Sequence, residues 1–216
     1  MKSILDKIQK ELVKREEVWE GIKRDMRRAT RLSKQAILFA HQERNDEARK
    51  SLQKAKELFS KLREASKEHP NLVYTGMVDS AFQEYAEAQT FLSLIEEDQF
   101  IDPEELDVPS ISYVLGLADV VGEFRRRTLD ALRRGDVEMA ENCLQTMEHI
   151  YRELTDMEEG SLLVSGLRRK CDVARRIIES TRGDVTIEAR RSTLEHSINE
   201  LEKTMRRREK VGKTES

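Results

Sequence analysis

Residues 113–136 read YVLGLADVVGEFRRRTLDALRRGD, and the way this stretch folds governs the reading of everything around it. It predicts a helix from Ser110 to about Arg134, closed by Arg134-Gly135-Asp136 through Gly135. From Tyr113 to Gly122 the only charged residue is Asp119; the others are apolar or glycine. A lone aspartate in such a run must be solvated, paired or bound to a metal, because burying a bare charge is very costly. Glu123, four residues on, falls on the same side of the helix.

The preceding helix carries a second acidic pair. Residues 74–100 read YTGMVDSAFQEYAEAQTFLSLIEEDQF, with Glu84 and Glu87 three residues apart and no lysine or arginine in the segment. Like charges at this spacing repel on a helix face, so the pair needs a reason. The two helices follow one another and are expected as antiparallel neighbours. Glu84, Glu87, Asp119 and Glu123 would then converge as hard oxygen donors suited to Mg²⁺, or to Mn²⁺. The bland alternative pairs these acids with arginines elsewhere, such as Arg125 to Arg127. A di-iron carboxylate site is excluded, because it needs Glu-x-x-His and Leu38, Ser66, Thr146 and Thr193 stand three residues before the four histidines.

Outward from these helices the chain predicts an all-α fold. Proline occurs only at Pro70, Pro103 and Pro109, so residues 1–69 and 110–216 are proline-free and rich in helix formers. The first helix is expected from about Ser3 to His41, with Val18, Trp19, Ile22, Met26, Ile37 and Leu38 as apolar contacts. A second runs from Asn45 or Asp46 to about Glu68, with Leu52, Ala55, Phe59 and Leu62 inward, and His69-Pro70 ends it. The third spans about Asn71 to Glu97, and residues 98–109 form the one substantial connection, with room for a short turn. After the helix over Ser110–Arg134, a fifth covers about Val137 to Met157 and breaks at Glu159-Gly160. A sixth covers about Ser161 to Ser180 and stops at Arg182-Gly183-Asp184. The seventh runs from Val185 to about Arg208, and residues 205–216 are expected to fray. Short connections make residues 1–216 a single seven-helix bundle domain.

Charge is distributed unevenly. Residues 1–70 hold 19 Lys+Arg against 12 Asp+Glu, or +7; residues 71–110 hold 10 acids and no base, or −10; residues 111–216 balance at 20 against 20. Within the first helix, KRDMRRATRLSK places Lys23, Arg24, Arg27, Arg28, Arg31 and Lys34 within about 140° of one face. Such a stripe suits a phosphate backbone; a solvated helix face is the alternative. No run of about 18 apolar residues could span a membrane. The N-terminus turns charged too soon for a signal peptide. Cys143 and Cys171 lack a metal spacing and are expected to pack as small apolar side chains in a reduced, cytoplasmic setting. Phosphate loops, dinucleotide fingerprints and nucleophile elbows are missing.

Four separated segments resemble the translin superfamily, in the right order along most of the chain. YVLGLADVVGEFRRRTLDALRRGD resembles its GLADxxGE segment, and FQEYAEAQTF its LQEYVEA helix. LRRKCDVARRIIESTRGDVT is similar to its LRRKxDxxR stretch, and KRDMRRATRLSKQAILFAHQ to its basic first helix. One branch of that family binds single-stranded nucleic acid; the other, the translin-associated factor X branch, supplies carboxylates for Mg²⁺-dependent endoribonuclease activity. Glu84, Glu87 and Asp119 match the catalytic acids of the second branch and Glu123 a further acidic position, all four serving as metal ligands. The resemblance implies a microbial, archaeal-type relative that assembles as a hollow homo-oligomer, an octamer, enclosing RNA, single-stranded or as a short duplex. Single-stranded DNA is a further expected ligand. Loop 98–109 and the C-terminal tail do not match. The rival expectation is a non-catalytic RNA- or DNA-binding oligomer of the translin type, and a plain helical scaffold is the third.

Overall fold

The computed structural model describes residues 1–70, 75–157 and 163–212. Among them are seven helices: α1 (Lys2–His41), α2 (Asn45–Glu68), α3 (Gly76–Glu97), α4 (Pro103–Leu106), α5 (Ser110–Arg133), α6 (Val137–Asp156) and α7 (Leu167–Gly212). The all-α expectation holds. The count of seven also holds, but the membership differs from that expected. The connection after α3 contributes a one-turn helix, where Asp102 caps the amide of Glu104 at 2.7 Å and Pro103 opens the turn. The two helices expected over 161–208 are one.

That fusion corrects the break expected at Arg182-Gly183-Asp184. Glycine inside a helix costs about 1 kcal/mol, whereas Ile178 and Val185 on either side are buried and contribute roughly 1.5–3 kcal/mol each. Asp184 also pairs with Arg125 of α5 at 2.7 Å. Packing therefore carries α7 through the glycine. Helix α7 continues to Gly212, beyond the expected onset of fraying. The expected start of the third helix at Asn71, the break at Glu159-Gly160 and the start at Ser161 fall outside the described residues.

Helices α1 and α2 form a hairpin turned by Glu43, which adopts a left-handed φ of 60°. Helix α3 lies against α1 on one side and α5 on the other; α5 in turn packs on α6 and α7. Because α3 is central, it buries residues around most of its circumference, from Val78 to Leu94. This explains its freedom from lysine and arginine, whose ammonium and guanidinium groups resist burial. Phe59 of α2 stacks on Phe82 at 4.4 Å, and Phe91 of α3 meets Phe124 of α5 edge-on at 5.4 Å. One apolar core runs through all the long helices. Leu52, Ala55, Phe59 and Leu62 point inward as expected.

Candidate active site

Helices α3 and α5 come unusually close at Gly116. A Cβ there would stand 2.6 Å from the carbonyl oxygen of Gln83 and 3.0 Å from the amide of Glu87. Only glycine permits this approach. It sets Glu84 and Glu87 of α3 beside Asp119 and Glu123 of α5, so the sequence-predicted convergence is what the fold produces. The four carboxylates line one cleft of about 460 Å³, whose other wall is Lys34, Ile37 and Leu38 of α1, with Arg126 at its edge. Leu38, expected as a core contact, is instead exposed and forms part of this wall.

Each carboxylate has a different environment. Glu87 is 8% exposed. Burial first, then the charges of Asp119, Glu84 and Glu123, push its pKa up to about 9, against a weaker opposing pull from Lys170. Asp119 is held from both sides: one oxygen accepts from Gln83 Nε2 at 2.6 Å, and the other pairs with Lys170 of α7. Glu123 Oε2 stands 2.6 Å from Nε2 of His41. That imidazole is buried, with its ring 4.9 Å from Phe91. Glu84 pairs with Lys34 Nζ at 3.1 Å.

Two expectations need correction here. Residues 74–100 contain no lysine or arginine, yet Lys34 of α1 reaches Glu84, and Lys170 of α7 reaches Asp119. Nor do the arginines of α5 neutralise the acids: Arg125 turns away to Asp184. Sequence reasoning also missed Gln83, His41 and Lys170. For His41 a signal existed, since it follows Lys34 by seven residues and Leu38 by three, on the same helical face. For Lys170 none did, because nothing local fixes which side of α7 meets α5.

Apart from Lys34, which pairs with Glu84, the basic stripe divides in three. Lys23 is engaged by Glu20 and lies 5.6 Å from the Trp19 ring, which is itself partly buried. Arg24 stands 3.8 Å from Asp25. Arg27, Arg28 and Arg31 are exposed and form no ion pair among the described residues. On the helical wheel Arg27, Arg31, Lys34 and Leu38 fall within roughly 60° of one another. Arg27 and Arg31 therefore lie on the face of α1 that carries Lys34 and Leu38 into the acidic cleft. Both cysteines behave as packing groups: burial raises the pKa of Cys143 and of the half-buried Cys171.

As placed, no three His, Cys, Asp or Glu side chains among the described residues are grouped as a ready-made cation site. The donor chemistry nevertheless fits a hard divalent ion. Four carboxylates share one cleft, and Glu87 is buried among like charges with no ion pair among the described residues. Among the described residues no helix is long and apolar enough to cross a membrane.

The fold has counterparts. The structure resembles the chain of an AfC3PO–duplex RNA complex with a TM-score of 0.76 and 35% identity, covering 86% of this chain and 96% of that one. Against apo-NeC3PO the TM-score is 0.77 at 28% identity, covering 85% and 96%. An uncharacterized protein of Methanocaldococcus jannaschii, MJ0175, is 29% identical over 151 residues, 69% of this chain and 68% of that protein. The Translin family model matches residues 17–205, which include every residue of the acidic cleft and of the basic stripe. The chain therefore belongs to the Translin family.

Proposed function

We propose that this protein is a metal-dependent endoribonuclease of the translin-associated factor X type, hydrolysing RNA phosphodiesters in the α3–α5 cleft. The observation that carries the proposal is the convergence of Glu84, Glu87, Asp119 and Glu123 in one cleft, bordered by the face of α1 on which Arg27 and Arg31 lie. RNA as ligand is supported by the duplex RNA complex of AfC3PO. The similarity to a Methanocaldococcus jannaschii protein supports an archaeal-type member. The family resemblance further suggests a hollow homo-octamer in the cytoplasm, acting on single-stranded RNA or short duplexes and also taking up single-stranded DNA.

In this mechanism Glu84, Glu87, Asp119 and Glu123 would hold Mg²⁺, or Mn²⁺, which when bound would supply an acidified water and charge neutralisation at the phosphoryl oxygens. Arg27, Arg28 and Arg31 hold the backbone with little sequence preference, assisted by Lys23, Arg24 and Lys34. Gln83 and His41 orient Asp119 and Glu123 from behind, as outer partners of ligating groups commonly do. Glu87, whose pKa burial raises to about 9, would have to release its proton to water for its carboxylate to serve as a ligand. Products with 5′-phosphate and 3′-hydroxyl ends are expected.

One observation favours a second reading. Lys34 and Lys170 already neutralise two of the acids, as they would in a non-catalytic nucleic-acid-binding oligomer whose carboxylates serve the fold. Incubating labelled single-stranded RNA with Mg²⁺ or with EDTA at matched salt separates the two. Metal-dependent cleavage establishes the nuclease. RNA that is bound but uncut in both conditions favours the binder.

A further inference from the structure

Lys34 and Lys170 reach the acids from two different helices, α1 and α7. Their ammonium groups pair with Glu84 and Asp119. Resting on the metal-dependent reading above, we propose that these two lysines are exchangeable counter-ions. They neutralise the cleft in the metal-free protein and are displaced onto RNA phosphates when a divalent cation enters.

Charge is the first argument. The two ammonium groups that leave carry the same charge as the divalent ion that enters. If both lysines stayed, the same ion would enter a cleft whose acids were already partly neutralised, against Coulomb repulsion. Neither ion pair is sealed: Lys34 is 61% and Lys170 27% exposed at the side chain. Lysine's long flexible stem lets its ammonium move without the backbone.

The carboxylates left behind remain oriented. When Lys170 leaves one oxygen of Asp119, Gln83 still holds the other at 2.6 Å. Glu123, which no lysine touches, is held by His41.

Each released ammonium also has a destination already supplied with cations. Lys34 lies in line with Arg27 and Arg31 on α1. Lys170 lines a second cleft of about 420 Å³ between α5 and α7, together with Arg169 and opening beside Gly122. Asp119 belongs to both clefts. An RNA strand crossing the acidic site would thus meet a freed lysine on each side. Metal and RNA binding become coupled, each strengthening the other by the same factor.

The test is a titration of Mn²⁺ into RNA-free protein, followed by electron paramagnetic resonance. The proteins are wild type, Lys34→Met, Lys170→Met and the double variant. Arg126→Met is the control, since Arg126 lines the cleft without an ion pair among the described residues. Exchange predicts about five-fold tighter binding for each lysine variant, the gain expected from releasing a partly exposed ion pair, and more in the double variant. Arg126→Met should change affinity much less. Equal tightening in all three single variants would mean a general field effect, and unchanged or weaker binding in the lysine variants would mean that they do not compete. Either result overturns the exchange while leaving the metal site standing. Absence of Mn²⁺ binding in wild type and variants alike would remove the metal reading itself, and the exchange with it.

Discussion

The acidic wall of α3 and α5 and the basic face of α1 are charged oppositely, and the fold treats them oppositely too. The acids are set in place by packing. The close approach at Gly116 brings two helices together, Glu87 is buried, and Asp119 and Glu123 each have a partner behind them. The arginines are set by nothing but helical register, and Arg27, Arg28 and Arg31 extend into solvent. A chemical centre needs fixed geometry, whereas a phosphate-binding face works by charge and can follow a flexible strand. The difference between the two regions fits the proposed division between cleavage and capture.

The largest expected effect is on the acidic side. Asp119→Asn should lower RNA cleavage by more than about a hundred-fold, the scale of losing a ligand in a metal-assisted hydrolysis. RNA affinity measured by filter binding in EDTA, where the metal contributes nothing, should survive. Loss of both together would erase the proposed division.

Next in size is a pH effect in metal-free protein. With its pKa raised from 4.5 to about 9 in the folded state, Glu87 retains a proton that the unfolded chain releases near 4.5. Its contribution to stability is complete below that value and is lost as pH rises through about 9. Glu87→Gln lacks this loss. In EDTA its melting temperature should therefore exceed that of wild type by a margin that widens from pH 6 to pH 9. A constant margin would show that the carboxyl is not held protonated.

Smaller again is the packing beneath the site. Gly116→Ala forces a methyl against the Gln83 carbonyl and should cost about 1–3 kcal/mol, read as a lower urea midpoint with unchanged slope. A neutral result would mean that α3 and α5 separate easily, and that their close approach does not fix the carboxylates.

The smallest effects belong to α1. Arg27→Gln and Arg31→Gln should each weaken RNA binding about equally for unrelated sequences and reduce the salt slope by about one. The cleavage rate at saturating RNA should change little. A strong loss of turnover would move these arginines into the chemical centre.

What could be read from the sequence follows the same division. Asp119 declared itself as the one charge in an apolar run, and Glu84 with Glu87 as a like-charged pair without local bases. Both signals arise within a single helix. The partners of these acids, Lys34, His41 and Lys170, come from helices distant in sequence, and only the packing of α1 and α7 against the central pair reveals them. At Gly183 a local stop signal was real but small, and burial of Ile178 and Val185 outweighed it. The short α4 lies in the connection where a turn was foreseen, with Asp102 and Pro103 as its start signal.

The measurement that bears most directly on the central claim is anomalous scattering from crystals soaked in Mn²⁺. The account predicts density in the α3–α5 cleft, within bonding distance of carboxylate oxygens of Glu87 and Asp119, and absent from crystals of Asp119→Asn. An ordered cleft without Mn²⁺ density, in crystals of protein that cleaves RNA, would contradict it.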